Sequence, residues 1–139
     1  AIVDCQIPVC AHIGLTPQGI NALGGFKVQG KTADSARKLL EDAHAVEEAG
    51  AFAVVLEAIP AELAERVSAE LTIPTIGIGA GAGCDGQVLV IHDMLGINKG
   101  FSPRFLRRYA DLHELMTGAV QQYIKDVKEC DFPSEKEQY

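Results

Sequence analysis

Two residues of this chain combine a reactive side chain with an apolar setting. Glu57 closes the run Phe52-Ala-Val-Val-Leu56, and His12 sits inside Val9-Cys-Ala-His-Ile13. No Lys or Arg adjoins Glu57 in sequence. A carboxylate leaving an apolar strand is poorly solvated, which makes it a stronger proton acceptor near neutrality. The structural alternative is a strand-end Glu that caps the next helix or forms an ion pair. His12 has the same two uses. A lone His among apolar neighbours is commonly a satisfied core residue, yet a position late in its strand brings it close to a ligand bound at the strand ends.

Other groups carry weaker signals. The glycine run Gly77-x-Gly79-x-Gly81-x-Gly83 invites a dinucleotide-binding reading. That fingerprint needs a helix immediately afterwards and an acidic residue about twenty positions on, beyond a second strand. Neither is convincing here. The run therefore reads as a strand end where backbone N–H groups approach a ligand oxygen, or as a tight turn. His92 and Asp93 follow a further apolar run and stand either at the same mouth or in a short polar turn. Cys5, Cys10, Cys84 and Cys130 include no CxxC pair and no zinc-finger spacing. They read as reduced thiols, with Cys10 a small core residue.

These positions do chemistry only if the fold gathers them. Four near-continuous apolar runs, 7–14, 51–57, 74–79 and 87–91, predict strands buried on both faces of a parallel sheet. Ala36, Leu39, Leu40, Ala43, Val46 and Ala49 recur at three- and four-residue steps and predict a helix over 32–49, stopped by Gly50. Pro60 opens a second helix at its first turn, with Leu63, Ala64, Val67 and Leu71 on one side and an end before Ile73-Pro74. A last amphipathic stretch over about 103–130 is expected to break near Gly118. Strand and helix in alternation are the mark of right-handed βαβ crossovers. The interval 80–86 is too short for a helix, so that crossover is abbreviated or else 87–91 is itself helical; the abbreviated crossover is preferred.

Composition bounds the rest. With 139 residues, 47% hydrophobic and 22% charged, the chain has the make-up of a compact soluble domain and not of a disordered segment. No apolar run reaches the about 18 residues of a membrane span, and no signal peptide is recognisable. The start at Ala1, without Met, suggests a processed, trimmed or partial chain. A net charge of −7, with no basic cluster longer than Arg107-Arg108, argues against nucleic acid and anionic membranes as partners. The mixed charges of 128–139 read as a solvated end. A complete eight-stranded barrel needs roughly 200 residues or more, so four parallel strands here amount to half of one. A small doubly wound sheet is the other arrangement this length allows.

At these residues the chain closely resembles the ketopantoate hydroxymethyltransferase family. The resemblance begins with Val9-Cys-Ala-His-Ile-Gly-Leu-Thr-Pro-Gln18 and Gly24-Gly-Phe-Lys-Val-Gln-Gly30. It continues through Val55-Leu-Glu57, Ile73-Pro-Thr-Ile-Gly-Ile-Gly-Ala-Gly81 and Asp85-Gly-Gln-Val-Leu-Val90 with His92-Asp93. Arg108-Tyr-Ala-Asp111 and Phe132-Pro133 complete it. It covers essentially the whole chain and preserves the spacings; Ala82-Gly-Cys84 is a small departure.

The resemblance implies an α/β fold, the second half of a (β/α)8 TIM barrel of the phosphoenolpyruvate/pyruvate superfamily. Residues 1–139 would be the C-terminal half of that single barrel domain, with a helical tail from about 103 to 139. It implies transfer of a hydroxymethyl group from 5,10-methylenetetrahydrofolate to 3-methyl-2-oxobutanoate, giving 2-dehydropantoate for pantothenate biosynthesis. Glu57 matches the family's catalytic proton acceptor and His12 a residue that contacts the bound product. Magnesium is the implied metal, with its carboxylate ligands, a substrate-binding serine and a substrate-binding lysine in the absent N-terminal half and none in this chain. The expected partners are the oxo acid, the folate, that N-terminal half and further copies in a homo-oligomer, in the cytoplasm. A non-catalytic half-barrel or assembly subunit, and a related metal-dependent C–C lyase, are the competing readings.

Overall fold

The structure, a computed structural model, describes residues 1–22, 24–100 and 102–139. It divides into two compact units, Ala1–Val88 and Leu89–Tyr139. The first unit is a β/α layer. Its strands β1 (Cys10–Gly14), β2 (Ala53–Glu57), β3 (Thr75–Ile78) and β4 (Gly86–Gln87) are all parallel and lie in sequence order. Two helices make the crossovers: α1 (Ala33–Glu48) between β1 and β2, and α2 (Ala61–Glu70) between β2 and β3.

Local chemistry explains these boundaries. Thr32 caps α1: its hydroxyl accepts from Ser35 N–H at 3.2 Å, while Ser35 Oγ accepts from Thr32 N–H at 3.0 Å. Gly50 ends the helical stretch with φ +88°, a conformation glycine adopts without steric cost. Pro60 is the residue just before α2, where its missing N–H goes unneeded. At the far ends of these helices, Glu47 Oε1 accepts from Thr72 N–H (2.6 Å), Thr72 Oγ–H (2.7 Å) and Ile73 N–H (3.1 Å). One carboxylate thus fastens α1 to the turn that leads into β3.

The sheet's two faces differ sharply. Side chains alternate along a strand, so Ile13, Val54, Leu56 and Thr75 share one face. These are buried, and the apolar ones pack with Leu39, Ala43, Leu63, Ala64 and Val67 of the helices. The opposite face carries His12, Val55, Glu57, Ile76 and Ile78, all only half-buried, with no helix or strand layered over them among the described residues of this unit. Strands read from sequence as buried on both sides are therefore covered on one.

Three sequence expectations need correction. The fourth strand keeps only Gly86–Gln87, and Ile91–Met94 is a short helix, α3, in the second unit. An apolar run alone does not separate a strand from a buried helix, and with so little chain after β3 the ladder closes for two residues only. The last amphipathic stretch is helical as α4 (Leu112–Lys128) and passes through Gly118 unbroken, because a lone glycine lowers helix stability by about 1 kcal/mol without ending the helix. Cys10 is exposed and not a core residue, since it opens β1 on the uncovered face. In the second unit, Tyr109 N–H donates to Met94 O at 2.8 Å and Leu112 N–H to Leu95 O at 3.0 Å, tying the segment before α4 to α3. Among the described residues no helix is long and apolar enough to cross a membrane.

Candidate active site

The site forms where β1 and β2 end side by side. Parallel pairing sets His12 opposite Val55 and Gly14 opposite Glu57, which places the His12 and Glu57 side chains on one face, one step apart along the strands. Gly14 permits this close approach. Its φ is +90°, and a Cβ there would collide with the Glu57 carbonyl oxygen and come within 2.9 Å of Ile59 Cγ2. Leu15 N–H then donates to that same carbonyl at 2.9 Å, locking the end of β1 onto the backbone of Glu57.

The chain after Glu57 is held as firmly. Ala58 takes a left-handed backbone, φ +48°, a strained choice for a residue with a Cβ. Its N–H donates to Ile78 O at 2.9 Å and its carbonyl accepts from Gln29 N–H at 2.9 Å. The segment 24–30, singled out in the sequence beside 9–18, thereby returns to the residue next to Glu57.

With the backbones set, His12 Nε2 stands 2.9 Å from Glu57 Oε2; the side chains are 32% and 21% exposed. The approach is too oblique to make a hydrogen bond, so Nε2 is a buried nitrogen without one. The pair is an acid–base couple beside an open face, able to accept, hold or return a proton. It also partly fulfils the structural alternative, because Glu57 does pair with a neighbour.

The remaining candidates have local contacts of their own. Cβ atoms at Gly81 and Gly83 would run into Ala61 and Glu65 of α2, so the glycine turn serves close packing against that helix. Gln87 Nε2 donates to Gly81 O at 2.9 Å and secures the turn from β4. His92 and Asp93 lie within α3, in the other unit, and the buried Asp93 accepts from Asn98 Nδ2 at 3.0 Å. The four cysteines are free thiols.

Sequence reasoning passed over one polar cluster. Asp85 Oδ2 accepts from Thr75 N–H at 2.8 Å and Thr75 Oγ–H at 2.9 Å, and Asp85 N–H donates back to Thr75 Oγ1 at 3.2 Å. Ser68 Oγ lies 2.7 Å from the same Thr75 hydroxyl. The backbone N–H of Thr75, then its hydroxyl, hold the Asp85 carboxyl below its usual range. Thr75 is wholly buried, which makes this the joint between α2, β3 and β4. An Asp ahead of glycine at a strand start was the available signal.

Magnesium is not accommodated by this chain's donors alone. Among the described residues no three His, Cys, Asp or Glu side chains stand together as a cation site. One imidazole and one carboxylate fall short of the near-octahedral, oxygen-rich shell the ion demands.

A parallel β/α unit with an imidazole–carboxylate couple at the carboxyl ends of adjacent strands belongs to the class of α/β proteins that bind ligands at that end of the sheet. Within it, the ketopantoate hydroxymethyltransferase family model matches residues 1–135, and the chain belongs to that family. This family has the TIM-barrel fold of the phosphoenolpyruvate/pyruvate superfamily. The chain is 68% identical over 138 residues to the 3-methyl-2-oxobutanoate hydroxymethyltransferase of Parabacteroides distasonis, covering 99% of this chain and 50% of that protein. The enzyme of the same name from Geobacter metallireducens is 62% identical over 135 residues (97% and 51%), and that from Clostridium novyi 61% over 136 residues (98% and 50%). The chain spans about half the length of the curated relatives it matches, and the half it matches is their C-terminal one.

Proposed function

We propose that this chain is the C-terminal half of a (β/α)8 hydroxymethyltransferase. The complete protein transfers a one-carbon unit from 5,10-methylenetetrahydrofolate to 3-methyl-2-oxobutanoate, giving 2-dehydropantoate on the way to pantothenate. The observation that carries this reading is the His12–Glu57 couple on an uncovered sheet face, in a chain whose relatives bear that enzyme's name. Residues 1–139 would form one half of a single barrel domain, with 103–139 as its tail. The first half would supply the missing layer over Val55, Ile76 and Ile78.

The reaction must remove a weakly acidic proton alpha to a ketone. Glu57 suits that task as general base: it stands at the open end of its strand with no Lys or Arg paired to it among the described residues, and His12, a third exposed, faces the same side. Magnesium and the folate belong to this reading, and the ion's ligands are assigned to the first half. Cytoplasmic location and assembly into homo-oligomers are part of it too.

The test is reconstitution. Co-purified with the first half of a close relative, the chain should form 2-dehydropantoate from the oxo acid and the folate, with magnesium present. A complex that assembles but is inert would favour a structural subunit. Cleavage of a C–C bond without dependence on folate would favour the lyase reading. Either result would overturn the proposal.

A further inference from the structure

His12 Nε2 is a buried nitrogen without a hydrogen bond, although a carboxylate oxygen stands 2.9 Å away. An orphaned buried polar atom is costly, and natural structures rarely leave one without a purpose. The remedy is at hand. A small rotation of the imidazole or of the carboxylate turns the oblique contact into a charge-assisted N–H···O bond. Catalytic hydrogen bonds are often misaligned without substrate and tighten when it binds.

We propose that His12 is the positioning residue for Glu57: its Nε2–H holds Oε2 and presents Oε1 to the proton that is removed. This role differs from the substrate contact suggested by resemblance, and it rests on the reading of Glu57 as proton acceptor. The backbone is built for it. Gly14 lets β1 close onto the Glu57 carbonyl, Leu15 N–H fastens that carbonyl, and the strained Ala58 turns the chain immediately after it. Among the described residues Glu57 therefore has a fixed main chain and one polar side-chain partner, and the side chain's aim depends on His12. In the step itself the C–H bond alpha to the ketone breaks and its electron pair becomes the enolate. The proton goes to Oε1, and Oε2 keeps its bond to His12.

The test follows exchange of that carbon-bound proton for deuterium in 3-methyl-2-oxobutanoate, read by NMR without folate, in the complex of this chain with the first half. The unaltered protein should exchange the proton and Glu57→Gln should not. His12→Ala should lower the exchange kcat by about 10- to 100-fold, the cost of a misaimed catalytic group, with KM within about threefold. His12→Gln, which keeps the size and a donor, should recover most of the rate and guards against a failure to fold. An unchanged rate in His12→Ala overturns the positioning role. So does a raised KM with kcat intact, which would mark a substrate contact, or an equal loss in Ala and Gln variants that melt like the parent. No exchange in the unaltered protein would remove the proton-acceptor reading, and the positioning role with it.

Discussion

Glu57 and Asp85 are both carboxylates next to strands, yet their surroundings differ. Asp85 Oδ2 is held by two donors of Thr75, which stabilise its charged form and tie it to the start of β3. Among the described residues Glu57 has one polar side-chain partner, obliquely placed, on an open face. In the complete enzyme Glu57→Gln should therefore cut the transfer rate by about 10²- to 10⁴-fold, the usual worth of a general base, with little change in oxo-acid affinity; steady-state kinetics check this. Near-normal turnover would place the base elsewhere. Thr75→Val should instead act on stability. It leaves Asp85 N–H and Ser68 Oγ without their buried partner and should cost about 1–3 kcal/mol in denaturant melts, with the residual activity per folded molecule preserved. Both roles follow from partners that lie far apart in sequence. Residue types at 12 and 57 were legible; the duty of Asp85, ten positions from Thr75, was not.

Elements carry the next predictions. Three carboxylates join them: Glu47 from α1 to the turn before β3, Glu70 from α2 to His44 of α1 at 3.1 Å (and to Arg66 of its own helix at 2.7 Å), and Asp85, just before β4, to β3. Hydrogen bonds from Thr72, Arg66 and Thr75 respectively are the leading reason each carboxyl sits below its ordinary value of 4.5, 4.5 or 3.8. The folded form thus releases these protons more readily than the unfolded chain. Their contribution is complete above those ordinary values and fades as pH falls through them towards the lowered ones. Thermal midpoints should hold between pH 7 and 5 and then drop in acid, and Glu47→Gln should flatten that drop; an acid limb identical in the variant would refute the link. At the end of β1, Gly14→Ala forces a Cβ into the left-handed region, worth about 1–2 kcal/mol, and against the Glu57 carbonyl. Stability and transfer rate should fall together. Most elements were legible because caps and breakers are local: Thr32, Gly50 and Pro60 mark α1 and α2 within a residue or so. The fourth strand was not, because its pairing depends on β3.

Over the whole chain, the apolar surface left uncovered matters most. Val55, Ile76 and Ile78 are only half-buried on the open sheet face, and α4 buries none of its residues, leaving Leu115, Met116, Val120 and Tyr123 more than half exposed. Exposed apolar surface of this extent marks an interaction site, and so do the edges of an open sheet. The isolated chain should therefore occur with its other half or pair with copies of itself, which size-exclusion chromatography and native mass spectrometry check. Alone it should bind magnesium weakly by calorimetry and transfer no hydroxymethyl group, since no three His, Cys, Asp or Glu side chains stand together as a cation site among the described residues. Adding the first half should restore both. A monodisperse, active monomer would contradict this account.

The sequence by itself determined what depends on neighbours along the chain: the first three strands, the two crossover helices with their caps, and the residues that could carry acid–base chemistry. Periodicity, proline and glycine act over a few residues, so they survive without a fold. Tertiary structure alone decided the rest. Only the register of β1 on β2, with Gly14 admitting the close approach, brings His12 Nε2 to 2.9 Å from Glu57 Oε2. Only the packing of both crossover helices on one side leaves the other face of the sheet open, and only contact with α2 shows why glycine stands at 81 and 83. Each of these is a contact between segments separated by tens of residues. Hydrophobic pattern marks such segments for burial but does not say which partner each will meet.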